Sequence, residues 1–436
     1  MAAGPLERRG IMAKRKDIRG IVLNQGESQN PSGRYRYRYT DGEGQAHDVY
    51  SWRLRPEDPV PEGKKPSLSL REMEKHIRKD LDDNLKAWQG NITLNTLILE
   101  YIQEQKNYWA IGTINGYEYS FERHIKPKFG LKRVSKLTSD DIERFYKGLL
   151  QDKKRPLKIS SVSTLDKLIK PALQMAVRKN IIRINPAEGI IGQLKKKCPG
   201  CLPEVRHALE EQQQKALLEY IKGDTIYAQY YPIFYLLAWT GCRINELLAI
   251  TWQDIDFQKE IIHINRSLSY KKVDGSFRFL LNEPKTKNGF REIPMLANVK
   301  DILLDMRERR PSQKIVSMKK EKVVTLENKS AFVFLNSRGN VYDYSSINYK
   351  LKHIIRRYNK GRQDKIPEIS CHIFRHSFCC WLCENIEGTN SADDIKYIQS
   401  IMGHSDAATT LNIYSELRKD NQNDKHEALK KKAQMR

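Results

Sequence analysis

The spacing of hydrophobic and polar positions changes period several times along this chain. Arg34-Tyr35-Arg36-Tyr37-Arg38-Tyr39 alternates strictly, which predicts a strand with one aromatic face and one cationic face. Asp41-Gly42 predicts a turn and Val49 to Leu54 a second strand, so Gly20 to Leu54 reads as a small sheet. Pro56 to Pro66 is a linker of Pro, Gly and charge. From Ser69 to Trp88 the period becomes helical, with Leu70, Met73, Ile77, Leu81 and Leu85 on one stripe, and this helix is expected to connect the sheet to the next domain.

Residues 91–190 read as an all-helical unit. Leu94, Leu97, Ile98 and Ile102 form one stripe. Thr138-Ser-Asp-Asp141 is a helix start leading into Ile142, Phe145, Tyr146 and Leu149. A third stripe, Leu165, Leu168, Ile169, Leu173, Ala176 and Val177, is expected to run until Asn185-Pro186. Residues 191–206, with the run Lys195-Lys-Lys-Cys-Pro-Gly, read as a linker. The remainder is α+β: an apolar helix from Tyr230 to Trp239, a break at Thr240-Gly241, a helix from Asn245 to Ile250, strands between Glu260 and Ile293, then mainly helix and a basic tail. The division is therefore 1–66 (sheet and linker), 67–190 (helical unit, with the connecting helix 69–88), 191–206 (linker) and 207–436. No internal repeat is visible.

Charge narrows the function. Of 436 residues, 77 are Lys or Arg and 53 Asp or Glu, a net charge of +24, with 39% hydrophobic residues. A folded protein this basic points to a polyanion, with nucleic acid the commonest, against the alternative of an inert solvated surface. The arginine face of the sheet (Arg34, Arg36, Arg38) is a candidate DNA reader, since a sheet fits a major groove; a solvated polar face is the alternative. Lys126, Lys128 and Lys132 lie between the helical stripes and are candidates to follow a phosphate backbone. No apolar run is long enough for a membrane span and no signal peptide is visible, so a cytoplasmic protein is expected. Residues 1–15 have a disordered composition, and Met12 competes with Met1 as the start. The seven cysteines fit free thiols. Cys198-Pro-Gly-Cys201 and Cys380-Trp-Leu-Cys383 have metal-ligand spacing, but the second lies in a stretch expected to be buried helix. Nothing near the first completes a tetrahedral set, so no metal and no cofactor are expected.

Four segments of the last domain carry chemistry. Thr240-Gly-Cys-Arg-Ile-Asn-Glu-Leu247, followed by Trp252-Gln-Asp-Ile-Asp256, resembles the first arginine box of tyrosine recombinases. Pro284-Lys-Thr-Lys-Asn-Gly-Phe-Arg-Glu-Ile-Pro294 is similar to the strand-turn-strand that holds their catalytic lysine. His372-Ile-Phe-Arg-His376 matches their HxxR box. Ile401-Met-Gly-His404, with Tyr414 ten residues on, matches their final histidine and nucleophile. HxxR alone is common; four motifs in order on the expected elements are specific. Gly26-Glu-Ser-Gln29, Gly33-Arg-Tyr35 and Val49-Tyr-Ser-Trp52 look like the arm-binding sheet of integrases from Gram-positive conjugative transposons, as do Glu283-Pro-Lys-Thr286 and His404-Ser-Asp. The resemblance covers nearly the whole chain. It implies a multidomain fold: a small N-terminal β-sheet arm-binding domain, an all-α core-binding domain, and an α+β catalytic domain of tyrosine recombinase type.

The chemistry requires these residue types independently. A phosphodiester is anionic and its leaving alkoxide unstable, so a site without metal must supply cationic donors and an acid. Arg243 and Arg375 suit the non-bridging oxygens. Lys285 suits the general acid for the leaving 5′ oxygen, with Lys287 the competing lysine; the resemblance favours Lys285. His372 can position or deprotonate the attacking hydroxyl, His404 can hydrogen-bond the developing charge, and Tyr414 is the nucleophile. Each has a plainer reading: Arg243 as a helix-start arginine paired to Glu246, Tyr414 as one of 21 tyrosines. Glu246 and Asp254 are expected to hold structure, and His376 to support it.

Two other functions use the same residues. A type IB topoisomerase shares the chemistry but has no need of an arm-site reader, and a silent DNA-binding relative would lack part of the catalytic set. A metal-dependent transposase would need a carboxylate set that is not visible. The resemblance implies double-stranded DNA partners at arm and core sites, a homo-oligomer from dimer to tetramer, and an excisionase or host DNA-bending protein as accessory. It also implies that the basic tail docks on a neighbouring protomer; a solvated tail that only adds DNA affinity is the alternative.

Overall fold

The computed structural model describes residues 15–83, 85, 91–197, 208–273, 275–284, 286–309, 324, 329–386, 392–404, 406, 408, 410 and 411. It divides into two compact units, residues 1–203 and 204–436.

The first unit begins with an antiparallel sheet of β1 (Glu27–Gln29), β2 (Tyr35–Thr40) and β3 (Ala46–Ser51), in that order. The alternation places Tyr35 and Tyr37 inside and turns Arg34, Arg36 and Arg38 outward, as expected. The turn is longer than a two-residue hairpin. The Asp41 carboxylate accepts from the backbone N–H groups of Glu43 and Gln45, and Gly44 adopts φ +85°. The loop thus occupies residues 41–45, and the strand resumes at Ala46 rather than Val49.

Helix α1 (Leu70–Asp82) starts on a Ser69/Glu72 capping box and ends before Trp88. It is a lid on the sheet as well as a link to the helical part, where Asp80 and Asp83 at its end pair with Arg183, so the core of the sheet extends past the expected boundary at 66. Leu70 is fully buried with Tyr35, Tyr37 and Leu54, and Ile77 packs against them. The Leu70 and Arg71 amides donate to the carbonyls of Arg53 and Leu54. Arg71 also reaches the buried Glu27 carboxylate and the Val22 carbonyl. A three-stranded sheet with no layer on its apolar face buries too little surface to persist, so this core needs the helix.

A second core in the same unit is built by α2 (Leu94–Gln105), α3 (Ile111–Ser120, running into a π-turn at 121–125), α4 (Ser139–Leu150), α5 (Ile159–Arg178) and α6 (Ile190–Lys197). The expected start of α4 is present as a Thr138/Asp141 capping box. Inside, the Tyr146 hydroxyl donates to Asp166 at 2.8 Å, satisfying two buried polar groups. Helix α5 stops at Arg178, short of Asn185-Pro186, because Asn180 takes the left-handed conformation (φ 56°). Residues 191–197 of the expected linker are helix, with Ile190 and Leu194 one turn apart and buried in this core. Residues 198–206, including Cys198 and Cys201, lie outside the described residues.

In the second unit α7 (Glu211–Gly223), α8 (Tyr231–Thr240) and α9 (Ile244–Leu247) precede a sheet of β4 (Ile255–Asp256), β5 (Ile261–Ile264) and β8 (Arg291–Pro294). A separate hairpin, β6 (Ser267–Val273) and β7 (Ser276–Asn282), leaves between β5 and β8. Then come α10 (Ala297–Glu308), α11 (Tyr344–Tyr358), α12 (His372–Asn385) and α13 (Ala392–Met402). The nearly uniformly apolar α8 sits in the core, its Phe234 ring against Phe374 of α12. Among the described residues, no helix is long and apolar enough to cross a membrane.

The placement of α1 gives a direct test. A fragment of residues 1–84 should melt cooperatively as an isolated domain. A fragment ending at Gly63 lacks Leu70 and Arg71 and should show no cooperative transition by circular dichroism; a normal melt there would show that α1 is dispensable.

Candidate active site

The end of α13 organises the site. Carbonyls in the last turn of a helix have no intrahelical partner, and the dipole leaves that end negative. Here three consecutive carbonyls are each capped by an arginine from a different segment. Arg291 of β8 donates from Nε to the Ile401 carbonyl at 2.7 Å. Arg375 of α12 donates to the Met402 carbonyl. Arg243, at the start of α9, donates to the Gly403 carbonyl at 3.2 Å. The next carbonyl, of His404, accepts from Gln399 (3.0 Å) and Asn288 (3.4 Å).

Two glycines make this convergence possible. Gly241 and Gly403 both adopt φ +62°, where a side chain is strained. A Cβ at Gly403 would also lie 2.9 Å from the Asn288 carbonyl and from Arg291 Cδ, and one at Gly241 2.5 Å from the Phe378 ring. Gly241 ends α8 and presents its carbonyl to Arg375 at 2.7 Å. Arg375 is 2% exposed. Burial, then the charges of Arg243 and Arg291, push its pKa down to about 9, so it remains a cation at neutral pH.

Glu246 supplies the counter-charge. One of its oxygens accepts from Arg243 Nη1 at 2.7 Å and the other from Arg291 Nη2 at 2.6 Å. Burial alone would raise its pKa; the Arg291 hydrogen bond and the Arg291 and Arg243 charges prevail and hold it at about 2. The plainer reading of Arg243 is present in the structure, and it leaves part of the side chain available. Arg243 is paired to Glu246 at a helix start, and its side chain is still 42% exposed, with guanidinium N–H groups beyond the two so engaged. Glu246 and Asp254 hold structure, as expected. Asp254 accepts from Thr251, Asn265 and Arg266.

His404 is buried, its Nδ1 2.9 Å from the Thr410 hydroxyl. Burial, followed by the charges of Arg375, Arg243 and Arg291, lowers its pKa to about 4. The imidazole is neutral at neutral pH and suits a hydrogen-bonding role rather than an ionic one. His372 is the exposed first residue of α12, and its charge also bears on His404. His376 instead turns along its own helix toward Cys380 Sγ at 3.4 Å. Lys285 and Tyr414 lie outside the described residues, as does the tail. Lys287 sits exposed in the turn 287–289, whose Asn288 touches the 403–404 segment.

Sequence reasoning quoted Arg291 within its motif without assigning it a role. The available signal was strand register: Arg291 and Ile293 share the inward face of β8, and an inward arginine requires a buried carboxylate.

The candidate DNA contacts are placed less uniformly. On the sheet, Arg34 lies over the rings of Tyr50 and Trp52 at 4.9 and 5.8 Å, Arg36 donates to Ser28, and Arg38 is bidentate to Asp48. The face is therefore cationic and aromatic with one acid in it. The three lysines do not form an unpaired track. Lys126 is paired to Glu122, Lys128 to Asp152 and Lys132 to Asp141. Lys132 binds the carboxylate that caps α4, which gives it a structural task. Among the described residues, no group of three or more His, Cys, Asp or Glu could hold a metal, and Cys242, Cys371, Cys379, Cys380 and Cys383 are buried and outside any disulfide.

Three family models match the chain: the DNA binding domain of tn916 integrase over residues 11–81, the phage integrase N-terminal SAM-like domain over 93–150, and the phage integrase family over 207–421. The transposase from transposon Tn916 of Enterococcus faecalis is 30% identical over 403 residues, 92% of this chain and 93% of that protein. The ICEBs1 integrase of Bacillus subtilis is 23% identical, over 82% and 88% of the two chains. Among solved structures, the Tn1549 transposon integrase (residues 82–397) in complex with a circular intermediate DNA aligns with a TM-score of 0.62 and 25% identity, covering 74% of this chain and 95% of that one.

Glu246→Gln should lower stability by about 3–5 kcal/mol, the usual cost of breaking a buried ion pair, read as a drop of roughly 10 °C in Tm. The pH dependence follows from the lowered pKa. Glu246 stabilises fully above its unfolded value of about 4.5, and that contribution fades as pH falls toward about 2. The stability gap between wild type and variant should therefore be full at pH 6 and close between those limits. A gap that stays constant would show that Glu246 carries no such charge interaction.

Proposed function

Because the chain belongs to the phage integrase family, we propose that it is a tyrosine site-specific recombinase that integrates and excises a conjugative transposon. The observation that carries this reading is the convergence of Arg243, Arg375 and His404 on the turn after α13. Cations held rigidly beside a neutral imidazole suit a phosphoryl group whose charge grows during reaction. The relatives that support the mobile-element reading are the Tn916 transposase and the Tn1549 integrase on circular intermediate DNA.

On this reading Arg243 and Arg375 bind the non-bridging oxygens of the scissile phosphate, and His404 donates a hydrogen bond to them. Tyr414 attacks phosphorus through its phenolic oxygen while His372 accepts the phenol proton. The bond to the 5′ oxygen breaks, and Lys285 supplies that oxygen's proton. The phosphodiester energy is kept in a 3′-phosphotyrosine, so a 5′ hydroxyl from the partner strand can reverse the step without ATP. Two duplexes cut on both strands need four tyrosines, which makes a tetramer the working assembly and a dimer on one site its half. The sheet with α1 reads arm DNA through Arg34, Arg36 and Arg38, and the helical unit contacts the core site. The lysine pairs must open for Lys126 or Lys128 to bind phosphate. An excisionase or host DNA-bending protein would join the arm and core sites, in the bacterial cytoplasm where the DNA lies.

Purified protein on DNA carrying its core site should give a denaturant-resistant adduct at the 3′ end, unaffected by EDTA and absent in Tyr414→Phe. An adduct of normal yield in the Phe variant would place the nucleophile elsewhere, and abolition by EDTA would favour a metal nuclease.

For arm DNA, replacing Arg34 or Arg36 by Ala should lower the salt slope of binding by about 0.9 for each phosphate left without its arginine. Arg38→Ala should lower it less, because Asp48 already occupies that guanidinium. Equal slopes for wild type and all three variants, measured by fluorescence anisotropy, would show that this face does not bind phosphate.

A further inference from the structure

Arg291 has the position of a working part without being aimed at a substrate. It is buried, its side chain 4% exposed, and it reaches both halves of the site: Nη2 to Glu246 at 2.6 Å and Nε to the Ile401 carbonyl at 2.7 Å. The third nitrogen, Nη1, is buried with no hydrogen-bond partner among the described residues and packs against Gly403, where a Cβ would come within 3.1 Å of it. Filling the core is a poor account of such a side chain, since an apolar residue would do so without desolvating a cation.

We propose that Arg291 is a positioning residue that orients Arg243 through the shared Glu246 carboxylate and His404 through the last turn of α13. This rests on the recombinase reading above. Glu246 divides its two oxygens between Arg243 and Arg291, so the angle at which it holds Arg243 depends on the second arginine. Arg291 also fixes the carbonyl three residues before His404 and closes off the space at Gly403, so the turn cannot rotate His404 independently. A planar fork meets both demands from one side chain, whereas a lysine ammonium is a point donor that can satisfy only one well. The Arg291 charge is in addition one of the cations that keep His404 neutral.

The test uses full-length protein on a nicked core-site duplex that traps the phosphotyrosine. Single-turnover adduct rate and core-site Kd are measured from pH 5 to 9 for wild type, Arg291→Gln and Arg291→Lys. A displacement of the catalytic groups by about an ångström predicts a fall of about 100-fold in the rate constant for Gln, partial recovery for Lys, and unchanged Kd. The acid limb of the rate profile should also move toward neutrality in Gln, because His404 loses a cation that opposes its protonation. A purely structural role would move none of these in folded protein. Where Arg291→Gln fails to fold, Arg291→Met combined with Glu246→Gln removes the ion pair as a unit. Cleavage slower than in Glu246→Gln alone then supports the proposal, and an equal rate overturns it. A wild-type rate in folded Arg291→Gln, or a loss confined to Kd, likewise overturns it. Absence of any adduct with wild-type protein overturns the recombinase reading itself.

Discussion

The catalytic unit depends on one arrangement: the carbonyl end of α13 held by three arginines, two of which share a single carboxylate. Each partner makes the others tolerable. The helix end supplies acceptors that would otherwise be buried and unsatisfied, at about 1–3 kcal/mol each. The arginines supply the donors, but at a few ångströms their mutual repulsion amounts to a few kcal/mol even at an effective dielectric of about 20. Glu246 offsets part of that by accepting from Arg243 and Arg291 together. Because Arg243, Arg291 and Arg375 arrive on α9, β8 and α12, the interaction also ties distant segments of the unit to one point.

This arrangement explains which parts of the molecule were legible from sequence. Where a signal is local, sequence and structure agree: the alternation Arg34 to Tyr39 became β2, and Thr138 to Asp141 became the capping box of α4. Where meaning depends on what lies opposite, sequence was silent. The stripe beginning at Leu70 marks a buried face without saying that the face lies on Tyr35 and Tyr37. The run Lys195-Lys-Lys reads as linker because the apolar anchors of its helix, Ile190, Ile191 and Leu194, all precede it. The lysines suggested for phosphate carry no mark of carboxylates such as Asp152, 24 residues from Lys128.

The active site divides in the same way. Arg243, Arg375 and His404 stood out because a resemblance had already attached a role to their motifs, and the structure brings them together. Arg291 had a place in the motif but no role, and its partners Glu246 and Ile401 lie 45 and 110 residues away. Only the fold makes that network visible. The sheet face shows the converse limit. Its alternation correctly separated arginines from tyrosines, but Asp48, which pairs with Arg38, comes from the neighbouring strand.

On the proposed assignment of the site residues, their charge balance favours one state of a phosphodiester over another. Among the described residues, three guanidinium charges stand against the one carboxylate of Glu246, and His404 is neutral, which leaves two positive charges uncompensated. A phosphodiester brings one negative charge and gains another as the fifth oxygen bonds to phosphorus. Ground-state binding leaves the site cationic, and the transition state comes closer to neutralising it, so the attraction grows along the reaction coordinate. On the proposed assignment, Arg243 is fixed beforehand by the Gly403 carbonyl and Glu246, so little reorganisation of it is needed when the charge appears. The cost falls on the free protein, which must confine like charges around a buried helix end. That cost gives the site its left-handed Gly241 and Gly403, a carboxylate shared by Arg243 and Arg291, and an arginine at the inward position of β8.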